Sequence, residues 1–154
     1  MVGKNRRFAL ADTAQQVVGG FLLAGPFVVT EEVWVLAQSM SVVHALVTAC
    51  IVLAVGYGTL YKADDRDPDR EIDIVGVPAR FVSLILVSYL SVFVLALAFD
   101  APGTFLADIA QSDPDSVSVL GMTLSGAVLG VTLKATSVGA VFSVIGAATA
   151  DTLF

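Results

Sequence analysis

The stretch that decides the fold is VVHALVTACIVLAVGYGTL, residues 42–60, an apolar run in which His44 and Thr48 are polar side chains. A second stretch, FVSLILVSYLSVFVLALAF, residues 81–99, is equally apolar apart from its serines. Each run has 19 residues, and a helix needs about 20 mainly apolar residues to cross the hydrocarbon core of a bilayer. Both runs therefore predict helices that span a membrane.

The composition of the whole chain agrees with this prediction. The 154 residues are 56% hydrophobic and 14% charged, and the mean hydropathy is +0.87. A soluble protein of this size could not bury so much apolar surface. We therefore expect one multi-pass transmembrane domain, residues 1–154, in the lipid bilayer of the plasma membrane. The composition excludes a soluble enzyme, a nucleic-acid-binding protein and a secreted disulfide scaffold, and we expect no enzymatic activity.

The apolar runs predict an all-α fold, a bundle of about five membrane-spanning helices. The helices are expected near residues 13–37, 42–61, 80–99, 117–133 and 136–151, with an acidic cytoplasmic loop at residues 62–79. The last two helices are short for a full crossing. A re-entrant hairpin that turns at Lys134 is the alternative for that region.

Lysine and arginine set the expected orientation, because cytoplasmic loops carry an excess of both. With the N-terminus inside, five crossings place all eight basic residues on the cytoplasmic side. The C-terminus is then outside. Lys134 is expected to anchor an inner turn, and Asp151 is expected to be solvated at the outer end of the last helix.

The acidic residues are mainly aspartates, with eleven Asp against three Glu and a net charge of −6. An Asp-rich surface stays hydrated in strong brine, where charge repulsion is screened. One interpretation is therefore a halophilic archaeal source, and the other is an ordinary acidic protein. Cys50 is the only cysteine, which excludes an intrachain disulfide.

Candidate chemistry lies at the end of the first predicted helix, where two adjacent acids, Glu31 and Glu32, follow Thr30. Ionised acids within a span are costly and are usually paired, hydrated or functional. Pro26 is a predicted hinge, because proline breaks or kinks a helix. Thr30, Glu31 and Glu32 are the predicted ion-binding residues, and the two carboxylates suit a divalent metal ion such as calcium. The alternative is that both acids are interfacial and cap a broken helix, with Trp34 in an aromatic belt.

A stripe of small or polar residues runs along the first helix and includes Gln16, Gly20 and Ala24. At about 100° per residue these three share one face, which Glu31 continues. Small residues let helices approach closely, so the stripe is predicted to pack helices or to line a pore. Because five short helices can hardly enclose a pore alone, we expect a homo-oligomer with the first helix near its axis.

Two classes of function fit these patterns. The first is an oligomeric membrane protein that conducts or transports cations, with divalent ions favoured and an acidic site on the first helix. The second is a membrane scaffold or accessory subunit without a transported substrate. No cofactor is expected apart from a bound divalent cation in the first case.

Two segments resemble an uncharacterised family of integral membrane proteins found in haloarchaea and bacteria. In that family a glycine-rich first helix leads through a proline to a Thr-x-Glu-Val-Trp segment, as does GGFLLAGPFVVTEEVWVLA, residues 19–37. The segment SVGAVFSVIGAATAD, residues 137–151, is similar to the family's last helix, which is rich in small residues. The matching residues of the first segment are Pro26, Thr30, Glu32, Val33 and Trp34. The resemblance implies a membrane location and topology but no activity.

Overall fold

Helices make up most of the structure. The computed structural model describes residues 10–62, 73–119 and 122–153. The helices are α1 (Leu10–Val28), α2 (Glu31–Ser39), α3 (Val42–Tyr57), α4 (Ala79–Ala98), α5 (Ala101–Phe105), α6 (Ala107–Ser112) and α7 (Gly126–Leu153), and a π-helical turn (Gly58–Lys62) extends α3. Two antiparallel hairpins connect helices: β1 (Asp73–Ile74) pairs with β2 (Val77–Pro78), and β3 (Val117–Val119) pairs with β4 (Met122–Leu124).

Within these residues, three helices are long and apolar enough to cross a membrane, namely Val42–Tyr61, Ala79–Ala98 and Gly126–Leu153. Helices α1 and α2 pass the same test only together, and the chain bends by 81° between them. The described part of the chain therefore contains three candidate spans, or four if the bent pair counts as one. The all-α class is confirmed, while the expected five spans become three or four.

The difference between the five expected spans and the three or four observed arises in the last third of the chain. Val117–Val119 and Met122–Leu124 form an antiparallel strand pair, in keeping with the alternation of β-branched and polar residues at Val117–Val119. The helices predicted at 117–133 and 136–151 are therefore wrong as separate elements. Helix α7 runs without a break through Lys134, because lysine is a good helix former and no proline interrupts this segment. Its 28 residues span about 42 Å.

The predicted first helix, residues 13–37, is divided in two. Pro26 lies in the last turn of α1, where its ring and its missing N–H weaken the helix. Helix α1 ends at Val28, and Thr30 takes an extended conformation with φ −105° and ψ 120° before α2 begins. The bend thus follows directly from the predicted hinge. The predicted loop 62–79 falls largely on residues 63–72, outside those that the structure describes, and its last part forms the β1–β2 hairpin.

Helix α7 is the centre of the bundle and contacts α1, α2, α3 and α4. Its closest approach is to α1, where Gly19 faces Gly146 so tightly that a Cβ atom added to Gly19 would lie 2.1 Å from the Gly146 carbonyl oxygen. Helix α4 completes a three-helix core with α1 and α7. Helix α3 packs at the edge and leaves most of its side chains exposed.

The last helix ends beside the first residues of α1 and α4, since Asp151 contacts Arg80 and Arg80 contacts Asp12. The C-terminal end of α7 and the start of α1 therefore lie at the same end of the bundle. The expectation that they lie on opposite sides is wrong, because one long helix replaces two short ones and removes one crossing. An inside location for that shared end stays a prediction.

Candidate functional site

The acidic pair lies at the N-terminus of α2. Glu31 and Glu32 are its first two residues, both exposed, and Thr30 is the residue that precedes the helix. The Thr30 hydroxyl donates to the carbonyl oxygen of Pro26. A carboxylate in the first turn of a helix is stabilised by the positive end of the helix dipole. Their position therefore accounts for both acids without a bound ion.

No group of three or more potential His, Cys, Asp or Glu metal ligands occurs in the part of the chain that the structure describes. A divalent ion between Glu31 and Glu32 would need further ligands, since calcium takes six to eight oxygens. Copies of the chain around an axis could supply them. The site at Thr30, Glu31 and Glu32 stays a prediction.

Trp34 is buried inside the protein and is not part of an aromatic belt at the membrane interface. Its side chain is only 2% exposed, and its indole Nε1 donates to the carbonyl oxygen of Val28 at 2.9 Å. The indole also stacks with Phe105 at a centroid distance of 5.9 Å. Trp34 therefore fills the angle between α1 and α2 and stabilises the bend.

The small stripe of α1 is covered within one chain. Gln16, Gly20 and Ala24 are all buried. The Ser143 hydroxyl donates to the Gly20 carbonyl oxygen at 3.1 Å, and a Cβ atom on Gly20 would lie 2.9 Å from Ser91 Oγ. The stripe thus faces α4 and α7, so its burial requires no second copy of the chain.

A cluster of charged and polar side chains joins α1, α4 and α7 at the end where α1 and α4 begin. Nη1 of Arg80 donates to both carboxylate oxygens of Asp151, at 2.9 and 2.8 Å, and Nη2 donates to Asp12 at 3.1 Å. Gln16 Nε2 donates to Asp151 at 3.2 Å, and Ser83 Oγ donates to Gln16 Oε1 at 2.8 Å. We call Asp12, Gln16, Ser83, Arg80 and Asp151 the charged cluster.

The charged cluster is largely shielded from the surroundings. The side chains of Arg80 and Asp151 are 6% and 0% exposed, and that of Asp12 is 20% exposed. Burying a charge is costly unless it is paired and hydrogen-bonded, and here the guanidinium lies between the two carboxylates. Such an arrangement can clamp three helices, and its carboxylates can also take up a cation or a proton.

Sequence reasoning missed the charged cluster, although it predicted one member, Gln16. Arg80 counts in the sequence only as one of the eight basic residues that set the orientation, and the expectation that Asp151 is solvated at the outer end is wrong. A signal was present, because Asp12, Arg80 and Asp151 each lie within three residues of a helix end. Opposite charges near the ends of helices indicate that those ends can pair with one another.

The opposite end of the bundle has simpler polar contacts. Ser41 and His44 form a capping box at the start of α3. The ammonium group of Lys134 donates to the carbonyl oxygen of Met40, at the C-terminal end of α2, at 2.6 Å. A cation is favourable there because of the negative end of the helix dipole. Lys134 is therefore a contact between α7 and α2, and not the inner turn that was expected.

These features define the class as a polytopic α-helical membrane protein, with three or four apolar spans and a charged cluster inside the bundle. The model of the DUF2391 family of integral membrane proteins, a domain of unknown function, matches residues 3–151. The chain belongs to this family, which confirms the resemblance noted in residues 19–37. No curated protein and no solved structure matches the chain. Family membership thus establishes contact with a lipid bilayer and assigns no activity.

Proposed function

We propose that the protein transports or conducts cations across the plasma membrane, and that the carboxylate of Asp151 is the central group. One observation carries the proposal: Asp151 is fully buried in a membrane-spanning helix and is bound by Arg80 and Gln16 from two other helices. Ionisable residues inside membrane bundles are rare because they are costly, and they mark ion pathways and proton relays.

Charge at both ends of the bundle supports a cation as the substrate. Within the charged cluster, the two carboxylates of Asp12 and Asp151 share the guanidinium of Arg80. At the opposite end, α2 carries Glu31 and Glu32 on its exposed first turn. The segment 100–125 has four aspartates and no basic residue. Acidic surfaces of this kind raise the local concentration of cations.

A homo-oligomer stays part of the proposal, with a changed interface. The stripe on α1 is already covered by α4 and α7, whereas α3 exposes large apolar side chains along its length. These exposed side chains are Val42, Val43, Leu46, Val47, Ile51, Leu53 and Tyr57. Contact through α3 would leave the α2 acids free to form a ring with those of neighbouring copies, and rings of acidic side chains form the selectivity filters of some cation channels.

A scaffold or accessory subunit is the second candidate, and a specific observation favours it. The backbones of Gly19 and Gly146 touch, which leaves no space for a metal ion between α1 and α7 at that level. Arg80 also engages both oxygens of Asp151, so the cluster can serve as a clamp. In that case the protein would hold partners in the membrane and move no ion.

Ion flux into proteoliposomes separates the two candidates. We expect the wild-type protein to carry a cation and Asp151→Asn to lose most of that flux, because asparagine keeps the size of the side chain but removes its charge. Asp115→Asn is the matched control, since Asp115 is exposed in the segment before β3. Glu31→Gln and Glu32→Gln should lower divalent selectivity while flux of monovalent cations continues.

The outcomes differ clearly. Absence of cation flux with correctly folded wild-type protein would refute transport and leave the scaffold candidate. Equal flux for Asp151→Asn and Asp115→Asn would show that transport does not use the charged cluster. Unchanged divalent selectivity in both glutamate variants would remove the predicted site at α2.

A further inference from the structure

Polar side chains continue from the charged cluster into the bundle between α1, α4 and α7. Gln16 accepts from Ser83, and one turn further along α1 the Gly20 carbonyl oxygen accepts from Ser143 at 3.1 Å. The hydroxyls of Ser91 and Ser143 lie next to the same face of Gly20, 2.9 and 3.1 Å from the position of an added Cβ atom. We call Gln16, Ser83, Ser91 and Ser143 the polar seam.

Ser91 is the unusual member of the polar seam. The residue is 1% exposed, and its hydroxyl has no hydrogen-bond partner among the residues that the structure describes. Ser88, three residues earlier and equally buried, donates to the Leu84 carbonyl oxygen at 2.6 Å. A buried polar group without a partner is costly. The unpaired hydroxyl of Ser91 therefore points to a bound water or another small polar ligand between the three helices.

The polar seam reaches about half-way through the membrane. At 1.5 Å per residue, Ser91 lies about 16 Å along α4 from Arg80, and the hydrocarbon core is about 30 Å thick. Beyond Ser91 the core is mainly apolar, with Val28, Trp34 and Ala96 buried there. A void beside Val28, Trp34 and Ala96 measures about 10 Å³, and its mainly apolar lining offers no polar partners for a water molecule.

We propose that the polar seam is a hydrated half-pathway for protons, which enters at the charged cluster and ends at Ser91. The inference rests on the proposed function and names the proton as the cation. A proton moves along waters and hydroxyls by exchange of O–H bonds, whereas a metal ion needs a shell of several oxygens. A carboxylate oxygen of Asp151 takes a proton from a hydronium ion at the entrance, which leaves water, and passes it to a water of the seam, which becomes hydronium.

Thiol accessibility tests the hydration of the seam independently of transport. In a Cys50→Ala background, Ser91→Cys places the one thiol at the end of the seam, and Ala96→Cys places it about one and a half turns further along α4, in the apolar region. We expect a small, charged, water-soluble thiol reagent to modify Ser91→Cys, and only when it is added on the side of the charged cluster. We expect no modification of Ala96→Cys from either side.

Proton flux into vesicles that contain a pH-sensitive dye tests the substrate. Loss of the one hydroxyl in Ser91→Ala should reduce proton flux about tenfold, which corresponds to one lost hydrogen bond of about 1.4 kcal/mol. Ser88→Ala is the matched control and should keep the wild-type flux, because Ser88 bonds only to its own helix.

The results separate the proposed cation transport from the proton pathway along the polar seam. Flux of sodium or potassium without protons would refute the proton pathway and leave cation transport intact. No cation flux at all would refute the proposed function, and the proton pathway with it. An unreactive Ser91→Cys in folded protein, or equal proton flux for Ser91→Ala and Ser88→Ala, would refute the hydrated seam while transport is unaffected.

Discussion

The contact between Gly19 and Gly146 leads to a sharp prediction about stability. A Cβ atom on Gly19 would lie 2.1 Å from the Gly146 carbonyl oxygen and 2.7 Å from Ala150 Cβ, whereas ordinary contact begins at 3.4 Å. The nearest atom is backbone, so no side chain can rotate away. In the variant Gly19→Ala, α1 and α7 must therefore separate by about 1 Å along the tightest contact of the bundle.

The expected magnitude follows from two opposing effects. Overpacking of this kind costs about 1–3 kcal/mol, and the higher helix propensity of alanine returns up to about 1 kcal/mol. We expect a net loss of about 1–2 kcal/mol, which lowers Tm by roughly 2–8 °C at about 2–4 °C per kcal/mol. Gly25→Ala on the same helix is the control, because a Cβ atom there meets nothing within 4 Å.

The Tm of both variants is measured by thermal unfolding in detergent, in which size-exclusion chromatography shows how much folded protein survives at each temperature. Gly25→Ala should be as stable as the wild type or slightly more stable, since it gains helix propensity without a steric cost. Equal Tm values for Gly19→Ala and Gly25→Ala would refute the close contact between α1 and α7, and with it the packing that positions the charged cluster.

Two further predictions concern topology and the bend. Reporter fusions at Leu153 and Asp12 should report the same side of the membrane, and a fusion at Asp113 the opposite side; a Leu153 fusion on the side of Asp113 would contradict the path of α7. Trp34→Phe should lose about 1 kcal/mol of stability in a chemical denaturation experiment, because it removes the hydrogen bond to the Val28 carbonyl oxygen. Phe99→Leu, at an exposed position, is the control. An equal loss of stability in both variants would argue against the role of Trp34 in stabilising the bend between α1 and α2.

The sequence predicts the parts of the fold that depend on local chemistry. The apolar runs at residues 42–60 and 81–99 become α3 and α4, because the length of a membrane span is set by the bilayer. Pro26 marks the bend, since its missing N–H and its ring act within one turn of the helix. The buried stripe at Gly20 follows from helical periodicity alone.

The remaining features depend on contacts between distant segments, which periodicity does not encode. Lys134 looks like a turn residue in the sequence, yet its partner, the Met40 carbonyl oxygen, lies 94 residues earlier. Asp151 and Arg80 are separated by 71 residues, so their pairing depends on α7 being a single helix. A prediction of two helices in place of α7 puts Asp151 at the opposite end of the bundle from Arg80, and the charged cluster then does not form.

The energetics of the charged cluster lead to a last prediction, which separates a clamp from a transport site. In soluble proteins, replacing a buried ion-pair network by apolar side chains of similar volume is often neutral or stabilising by about 1–4 kcal/mol, whereas removing one partner costs about 3–5 kcal/mol. The triple replacement Asp12→Leu, Arg80→Met and Asp151→Leu should therefore keep a folded bundle, because the contact of Gly19 with the α7 backbone still joins α1 to α7.

If the cluster is only a clamp, the triple variant should match the wild type in Tm and in every membrane activity, since apolar packing replaces the ion pairs. If the cluster is a transport site, the triple variant should keep its Tm but carry no cation in proteoliposomes. The single variant Arg80→Met is the control, because it leaves Asp151 buried without its guanidinium and should unfold at a lower temperature than the triple variant. A triple variant that is less stable than Arg80→Met would contradict this account, because it would mean that the ion pairs hold the three helices together more strongly than apolar packing can.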